Sequence, residues 1–279
     1  MTNFLHTFTP DPILISIGPI TIYWYGLFVV SGILAAMFIA LKLADYYGIN
    51  KTAVIDIAFW TIIFGVIGAR IYHVGLEFSY YWSNPLAIFK VWEGGLAIHG
   101  ALLFGGLTAW YLVKKNNINF WQFAAIFAPG IALGQAIGRW GNYFNQELYG
   151  LPTNLSWGIP IAPQNRLLEY YNYQYFHPTF LYESLGNFLI FLTLILIHVW
   201  IIKNPDSKSK IYQMRFELCV MSYAILYSLL RFSLEFIRID PTPIIFGLRL
   251  PQIASLLIIF ITIFAYFLIK KQWKKTLAK

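Results

Sequence analysis

The chain has 279 residues, 58% of them hydrophobic and only 11% charged, with a formal net charge of +8. So much apolar surface excludes a soluble domain of ordinary design, and the single cysteine excludes both an intrachain disulfide and a thiolate metal site. Basic residues scattered through such a chain suit topology signals beside a membrane and do not suggest a nucleic-acid partner.

About 20 mostly apolar residues cross a hydrocarbon core, and seven windows approach or reach that length with few charges. In chain order they are Ile15 to Leu41, Ala53 to Tyr72, Leu96 to Val113, Phe120 to Ile137, Thr179 to Ile202, Tyr212 to Leu230 and Phe246 to Ile269. The expected fold is all-α: a polytopic integral membrane protein of seven transmembrane helices forming one domain over residues 1–279. Met1 to Pro12 carries no Lys or Arg, so the first helix reads as retained, not as a cleaved secretory signal. An odd number of spans puts the termini on opposite sides. With the N-terminus outside and the C-terminus cytoplasmic, the inner connections and tail hold Lys42, Lys51, Lys114, Lys115, Lys203, Lys208, Lys210, Arg215, Lys270, Lys271, Lys274, Lys275 and Lys279, which satisfies the positive-inside rule. The outer side then keeps Lys90 and six arginines: Arg70, Arg139, Arg166, Arg231, Arg238 and Arg249. Planar guanidinium groups suit bidentate capture of phosphate or carboxylate, so function is expected outside.

Two longer outer connections separate these windows. The first, EFSYYWSNPLAIFKVWEGG, alternates aromatic and polar residues and reads mainly as an interfacial anchor. The second, residues 138–178, mixes Gly, Pro, Asn and aromatics without helical period and reads as a small extracytoplasmic cap.

Ionisable groups near helix ends in a bilayer need a partner or a task. YSLLRFSLEFIR places Tyr227, Arg231 and Glu235 on one helical stripe, with Arg238 three residues further on; a plain buried ion pair and a functional role weigh equally for Arg231 and Glu235. GRWGNYFNQELYG brings Arg139, Asn142, Asn145 and Glu147 together among glycines at a membrane boundary, a combination that packing alone explains poorly. His99 opens the third helix on the side where the arginines collect, where a neutral imidazole can accept a proton. No HExxH spacing, GxSxG elbow or aspartate dyad occurs, so zinc, acyl-enzyme and intramembrane-protease chemistry are disfavoured and no cofactor is expected. The single Cys219 reads as a small buried apolar residue. Guanidiniums for a phosphate, polar groups to orient them and one histidine suit displacement at a carbon bearing a phosphate leaving group. A transporter or flippase of an anionic lipid, using the same arginines without chemistry, is the alternative.

GRWGNYFNQELYG at 138–150 resembles the signature of bacterial prolipoprotein diacylglyceryl transferases. WYG at 24–26, GAR at 68–70, GGLAIHG at 94–100, HPTFLYE at 177–183 and YSLLRFSLEFIR at 227–238 agree in order over nearly the whole chain. The resemblance implies an enzyme of the bacterial cytoplasmic membrane. Such an enzyme moves the diacylglyceryl group of phosphatidylglycerol onto the lipobox cysteine of prolipoproteins, forming a thioether and releasing glycerol phosphate. Carried over by position, Arg139 and Arg231 would bind the lipid phosphate. Asn142, Glu147 and Gly150 match the rest of the signature, while His99, Tyr25, Tyr227 and Glu235 match other required residues, with His99 as base. Glu147 and Glu235 are expected to hold the guanidiniums, Tyr227 to donate to the lipid, and Arg238 to join the binding set. Two departures stand out: Ala125 replaces the Asp of many members, and Pro251 precedes Gln252 where Gly is usual.

Overall fold

The computed structural model describes residues 4–18, 20–204, 212 and 214–276. Lys208, Lys210 and Lys279 of the proposed inner charge set lie outside the described residues, as do the side chains of Lys274 and Lys275. Among the described residues, six helices are long and apolar enough to cross a membrane: α2 (Trp24–Tyr46), α3 (Lys51–Leu76), α6 (Phe120–Phe144), α7 (Thr179–Lys203), α8 (Arg215–Leu234) and α9, which runs Leu250–Thr276. The seventh expected segment is also helical, as α5 (Ile98–Lys115), but it has only 18 residues and includes His99, Lys114 and Lys115. Short helices α1 (Phe4–Thr7) and α4 (Phe78–Ser83) and three two-stranded hairpins complete the described elements of regular structure, apart from four short 3-10 turns.

The described chain is mostly helical, and two of these hairpins shift where expected helices begin. Ile13–Ile17 (β1) pairs antiparallel with Ile20–Tyr23 (β2), so the first long helix begins at Trp24 and not at Ile15. The run ILISIGPITIY is mostly apolar, but its β-branched residues favour strand, and Gly18 with φ 59° breaks the run at its middle. The last helix likewise starts at Leu250, after a hairpin of β5 (Ile244–Ile245) and β6 (Leu248–Arg249) that occupies the first residues assigned to it. In the opposite sense, α6 continues through Gly138 and Gly141 to Phe144, so the first part of the 138–178 segment is helix.

The chain divides into two compact units. In residues 41–126, α3 and α5 pack side by side at small residues: Gly65 approaches the Ala101 carbonyl, and a Cβ on Gly68 would run into Phe104. Arg70, 7% exposed, turns into the connection after α4. Its guanidinium donates to the carbonyls of Ile88 (2.8 Å), Gly94 (2.7 Å), Gly95 (2.9 Å) and Ala87 (2.5 Å), and it lies 5.1 Å from the Tyr81 ring centre. This arginine organises a loop.

Residues 1–40 and 127–279 form the other unit. There α2 meets α6 at glycines: a Cβ on Gly130 would lie 2.6 Å from the Ala36 carbonyl oxygen and one on Gly32 3.0 Å from that of Gly134. Polar ties fasten α6 to its neighbours, Ser184 donating to the Ala136 carbonyl (2.8 Å) and Tyr223 to Gln135 (3.1 Å). Cys219 is fully buried, its sulfur 3.4 Å from His198 Nε2. Between α6 and α7 the chain builds a small module with a core of its own: Tyr143, Tyr149, Ile159, Ile161, Phe176 and Phe180, around the hairpin of β3 (Ile159–Pro160) and β4 (Tyr175–Phe176). Arg166 serves this module, donating to the carbonyls of Ile161 (2.8 Å) and Tyr171 (3.0 Å).

Candidate functional site

Beside this module, four of the six arginines expected on the outer side meet around two buried carboxylates. Glu183, one turn into α7 and 3% exposed, is the hub. It pairs with Arg139 of α6, with Arg231 Nη1 of α8 at 3.2 Å and with Arg238 Nη1 at 2.7 Å. Glu235, at the end of α8 and 1% exposed, takes Arg231 Nη2 at 2.9 Å and Arg249 Nε at 2.8 Å. The i, i+4 pairing of Arg231 and Glu235 on one stripe is therefore present, but as part of a larger knot. Asp240 closes it, 2.7 Å from Arg238 Nε and 3.8 Å from Arg249 Nη2. Burial pushes the Asp240 carboxyl up, but Arg238, with help from Arg249 and Arg231, outweighs this and holds it below the usual carboxylate range.

The arginines are not equivalent. The Arg238 side chain is only 4% exposed and engages three carboxylates within 4 Å, whereas Arg139, Arg231 and Arg249 keep 23%, 19% and 19% of their side-chain surface. Arg249 is further committed to the carbonyls of Arg238 (2.5 Å) and Asp240 (2.6 Å). Arg139 and Arg231 thus combine surface with positions fixed by a shared carboxylate. Within the ion pairs, four guanidiniums face three carboxylates, leaving one positive charge in excess.

The signature block builds one side of the site. Arg139 Nη1 donates to Asn142 Oδ1 (3.1 Å), and Asn142 Nδ2 donates to Glu147 Oε1 (2.7 Å), which also accepts from Asn145 (3.3 Å). Glu147 therefore steadies Arg139 through an amide and pairs with none of the guanidiniums among the described residues; Glu183 takes the direct role expected of it. Residues on either side of Glu147 adopt left-handed backbone, Gln146 at φ 51° and Leu148 at φ 54°, which turns Glu147 outward. Gln146 locks this bend from inside, donating to the Pro10 carbonyl (2.8 Å) and accepting from the Ala162 amide (2.7 Å). Glu147 lines two clefts. One of about 550 Å³ includes Tyr23, Tyr25, Gly26 and Asn145. The other, about 270 Å³, includes Asn165, Ile239 and Asp240.

Tyr25 opens α2, 41% exposed, and lies so close to α6 that a Cβ on Gly141 would sit 2.8 Å from its ring. Gly150 bridges to Arg238: the Leu151 amide donates to Ile237 O (2.8 Å), and a Cβ on Gly150 would lie 2.8 Å from that same oxygen. Glycine there lets the module approach the Arg238 backbone. Tyr227 stacks on Tyr223, ring centres 5.9 Å apart, one turn before Arg231. His99 is exposed near the start of α5, its ring 5.8 Å from Tyr72, and belongs to the 41–126 unit. Gln252 accepts from the Arg249 amide (3.0 Å), so the helix start carrying Pro251 is capped without the usual glycine. Ala125, at the other departure, is fully buried. Among the described residues no three of His, Cys, Asp or Glu could hold a metal ion.

Glu183 stands within HPTFLYE with no role assigned to it by the sequence, and Asp240 belongs to none of the motifs. An ionisable residue one turn into an otherwise apolar helix was the available signal for Glu183; Asp240 offered none.

Residues 12–268 match the family described as prolipoprotein diacylglyceryl transferase. Three curated relatives carry the name phosphatidylglycerol-prolipoprotein diacylglyceryl transferase. That of Prochlorococcus marinus is 42% identical over 84% of this chain and 81% of its own length. Those of Nostoc sp. and Synechococcus elongatus are each 39% identical, over 91% and 90% of this chain and 87% and 84% of their own.

Proposed function

Since the chain belongs to the prolipoprotein diacylglyceryl transferase family, we propose that the arginine knot is where it transfers the diacylglyceryl group of phosphatidylglycerol to a prolipoprotein. The observation that carries this reading is that Arg139 and Arg231 are both partly accessible and both held by Glu183, so that their planar heads can turn N–H groups to a phosphodiester.

In the reaction, the sulfur of a lipobox cysteine attacks the glyceryl carbon that bears the phosphate. A C–S bond forms, the C–O bond to phosphorus breaks, and glycerol phosphate leaves with the electron pair. Arg139 and Arg231 stabilise the charge growing on that phosphate. Only the thiolate is a good nucleophile, and a free thiol has a pKa near 8.5, so a base that takes its proton raises the reactive fraction. His99 is that base in this account, supported by its exposed ring and by the resemblance. Glu183, Glu235 and Glu147 hold the binding groups, the last through Asn142. Arg238 and Gly150 fix the frame that places them, Tyr227 donates to the lipid, and Tyr25 lines the neighbouring cleft.

The placement follows the same reading: a single membrane-embedded transferase domain in the bacterial cytoplasmic membrane, α5 as a seventh span beside the six long helices, the N-terminus outside, the C-terminus cytoplasmic, and the 138–178 segment as an extracytoplasmic cap. Thirteen of the 20 basic residues fall in the inner connections and tail on this arrangement, which supports the orientation. Purified protein mixed with phosphatidylglycerol and a lipobox peptide should raise the peptide mass by one diacylglyceryl group. Lipid binding without mass gain would favour transport instead.

A further inference from the structure

The β5–β6 hairpin is anchored at its base and bare at its tip. At the base, Arg249 bonds Glu235, the Arg238 carbonyl and the Asp240 carbonyl, and the Leu250 amide donates to the Pro243 carbonyl at 2.9 Å. At the tip, Phe246 and Gly247 form a two-residue turn with φ of 52° and 76°. Such turns favour Asn-Gly, because a bulky side chain is strained in left-handed backbone. Phe246 is 99% exposed, and Ile244 beside it 70%, so no packing within the protein offsets that strain. A strained aromatic with no internal contact points to a contact outside the chain.

The position of the hairpin says what that contact is. Leu250 starts α9 directly after β6, and α9 presents Leu256, Leu257, Phe260 and Ile261 on an exposed apolar face suited to lipid. The bilayer that covers this face continues past the helix start. We infer that the hairpin tip, Phe246 with Ile244, inserts into the acyl chains of the leaflet at that end of α9. This insertion fixes Arg249, and through it the arginine knot, at the depth of phospholipid phosphates. The inference rests on the knot being the lipid site.

Two arms test it. Cys219 is fully buried, so a nitroxide attached after Phe246→Cys labels that position selectively. In phosphatidylglycerol vesicles the label should collide with oxygen more than with a water-soluble nickel chelate; water-like accessibility would overturn the inference. In the second arm, Phe246→Asn supplies the favoured turn, so the fold should be no less stable in detergent. KM for lipid in bilayers should nevertheless rise about five-fold, with kcat unchanged and no difference for water-dispersed short-chain phosphatidylglycerol. An unchanged KM in bilayers, or an equal rise with short-chain lipid, would refute insertion, the latter placing Phe246 against the bound substrate. Absence of transfer by the unmodified protein would sink the lipid-site reading while the label depth still reported on the tip.

Discussion

Removing Glu183 tests the knot most severely, because three guanidiniums depend on it. Glu183→Ala leaves Arg139 without its carboxylate and takes one of two carboxylates from Arg231, in a setting where the lost side chain is 4% exposed. Deleting one partner of a buried ion pair costs about 3–5 kcal/mol, largely because the remaining charge is stranded. Part of that will appear as lower thermal stability in detergent. The rest appears in catalysis: two arginines released from fixed positions should cost at least what one preorganised donor does, about 10²–10³ in kcat. Glu183→Gln keeps the shape and one acceptor oxygen but not the charge, and should fall between, nearer ten-fold. Single-turnover transfer to a lipobox peptide at saturating lipid, with unfolding temperature measured in parallel, separates the two effects. A folded Glu183→Ala protein within about three-fold of the parent rate would refute the hub role.

Gly150→Ala pushes a methyl group against the Ile237 carbonyl and the side chains of His177 and Thr179; overpacking of this kind costs about 1–3 kcal/mol, and a lowered unfolding temperature would register it. His99→Gln should lower single-turnover transfer by about 10²–10⁴-fold and flatten the pH profile of the rate that remains, whereas an unchanged rate and profile would eliminate His99 as base. The folded Asp240 carboxyl has a pKa below its unfolded value, so its stabilisation is complete above about pH 4 and is lost as pH falls toward the folded value. Asp240→Asn should therefore flatten the acid limb of a stability-against-pH curve, read by thermal unfolding below pH 4.

Apolar length was enough to locate the long helices, and Thr179–Lys203 is one residue from its expected end. It failed where a largely apolar run was strand: ILISIGPITIY and the residues around Phe246 are distinguished from helix by their β-branched residues and by the glycine at positive φ, not by apolar length. The arginines expected on the outer side are legible as a group but not as individuals. Arg70 and Arg166 bind backbone carbonyls, whereas Arg139, Arg231, Arg238 and Arg249 bind carboxylates, and the difference lies in which partners the fold delivers. Glu235 could be paired with Arg231 because helical spacing is local. Glu183 reaches Arg139 across 44 positions of sequence and Arg231 across 48, and no local pattern reports that. Glu147 carried the right charge in the right motif, but the two amides beside it, Asn142 and Asn145, claim its oxygen.

The central claim is that Arg139 and Arg231 grip the lipid phosphate through planar, bidentate heads. Arg139→Lys keeps the charge and removes that geometry. Mass spectrometry of a lipobox peptide incubated with phosphatidylglycerol vesicles and this variant should show no added diacylglyceryl group, while the parent protein modifies the peptide. A lysine variant that transfers at the parent rate would contradict the account.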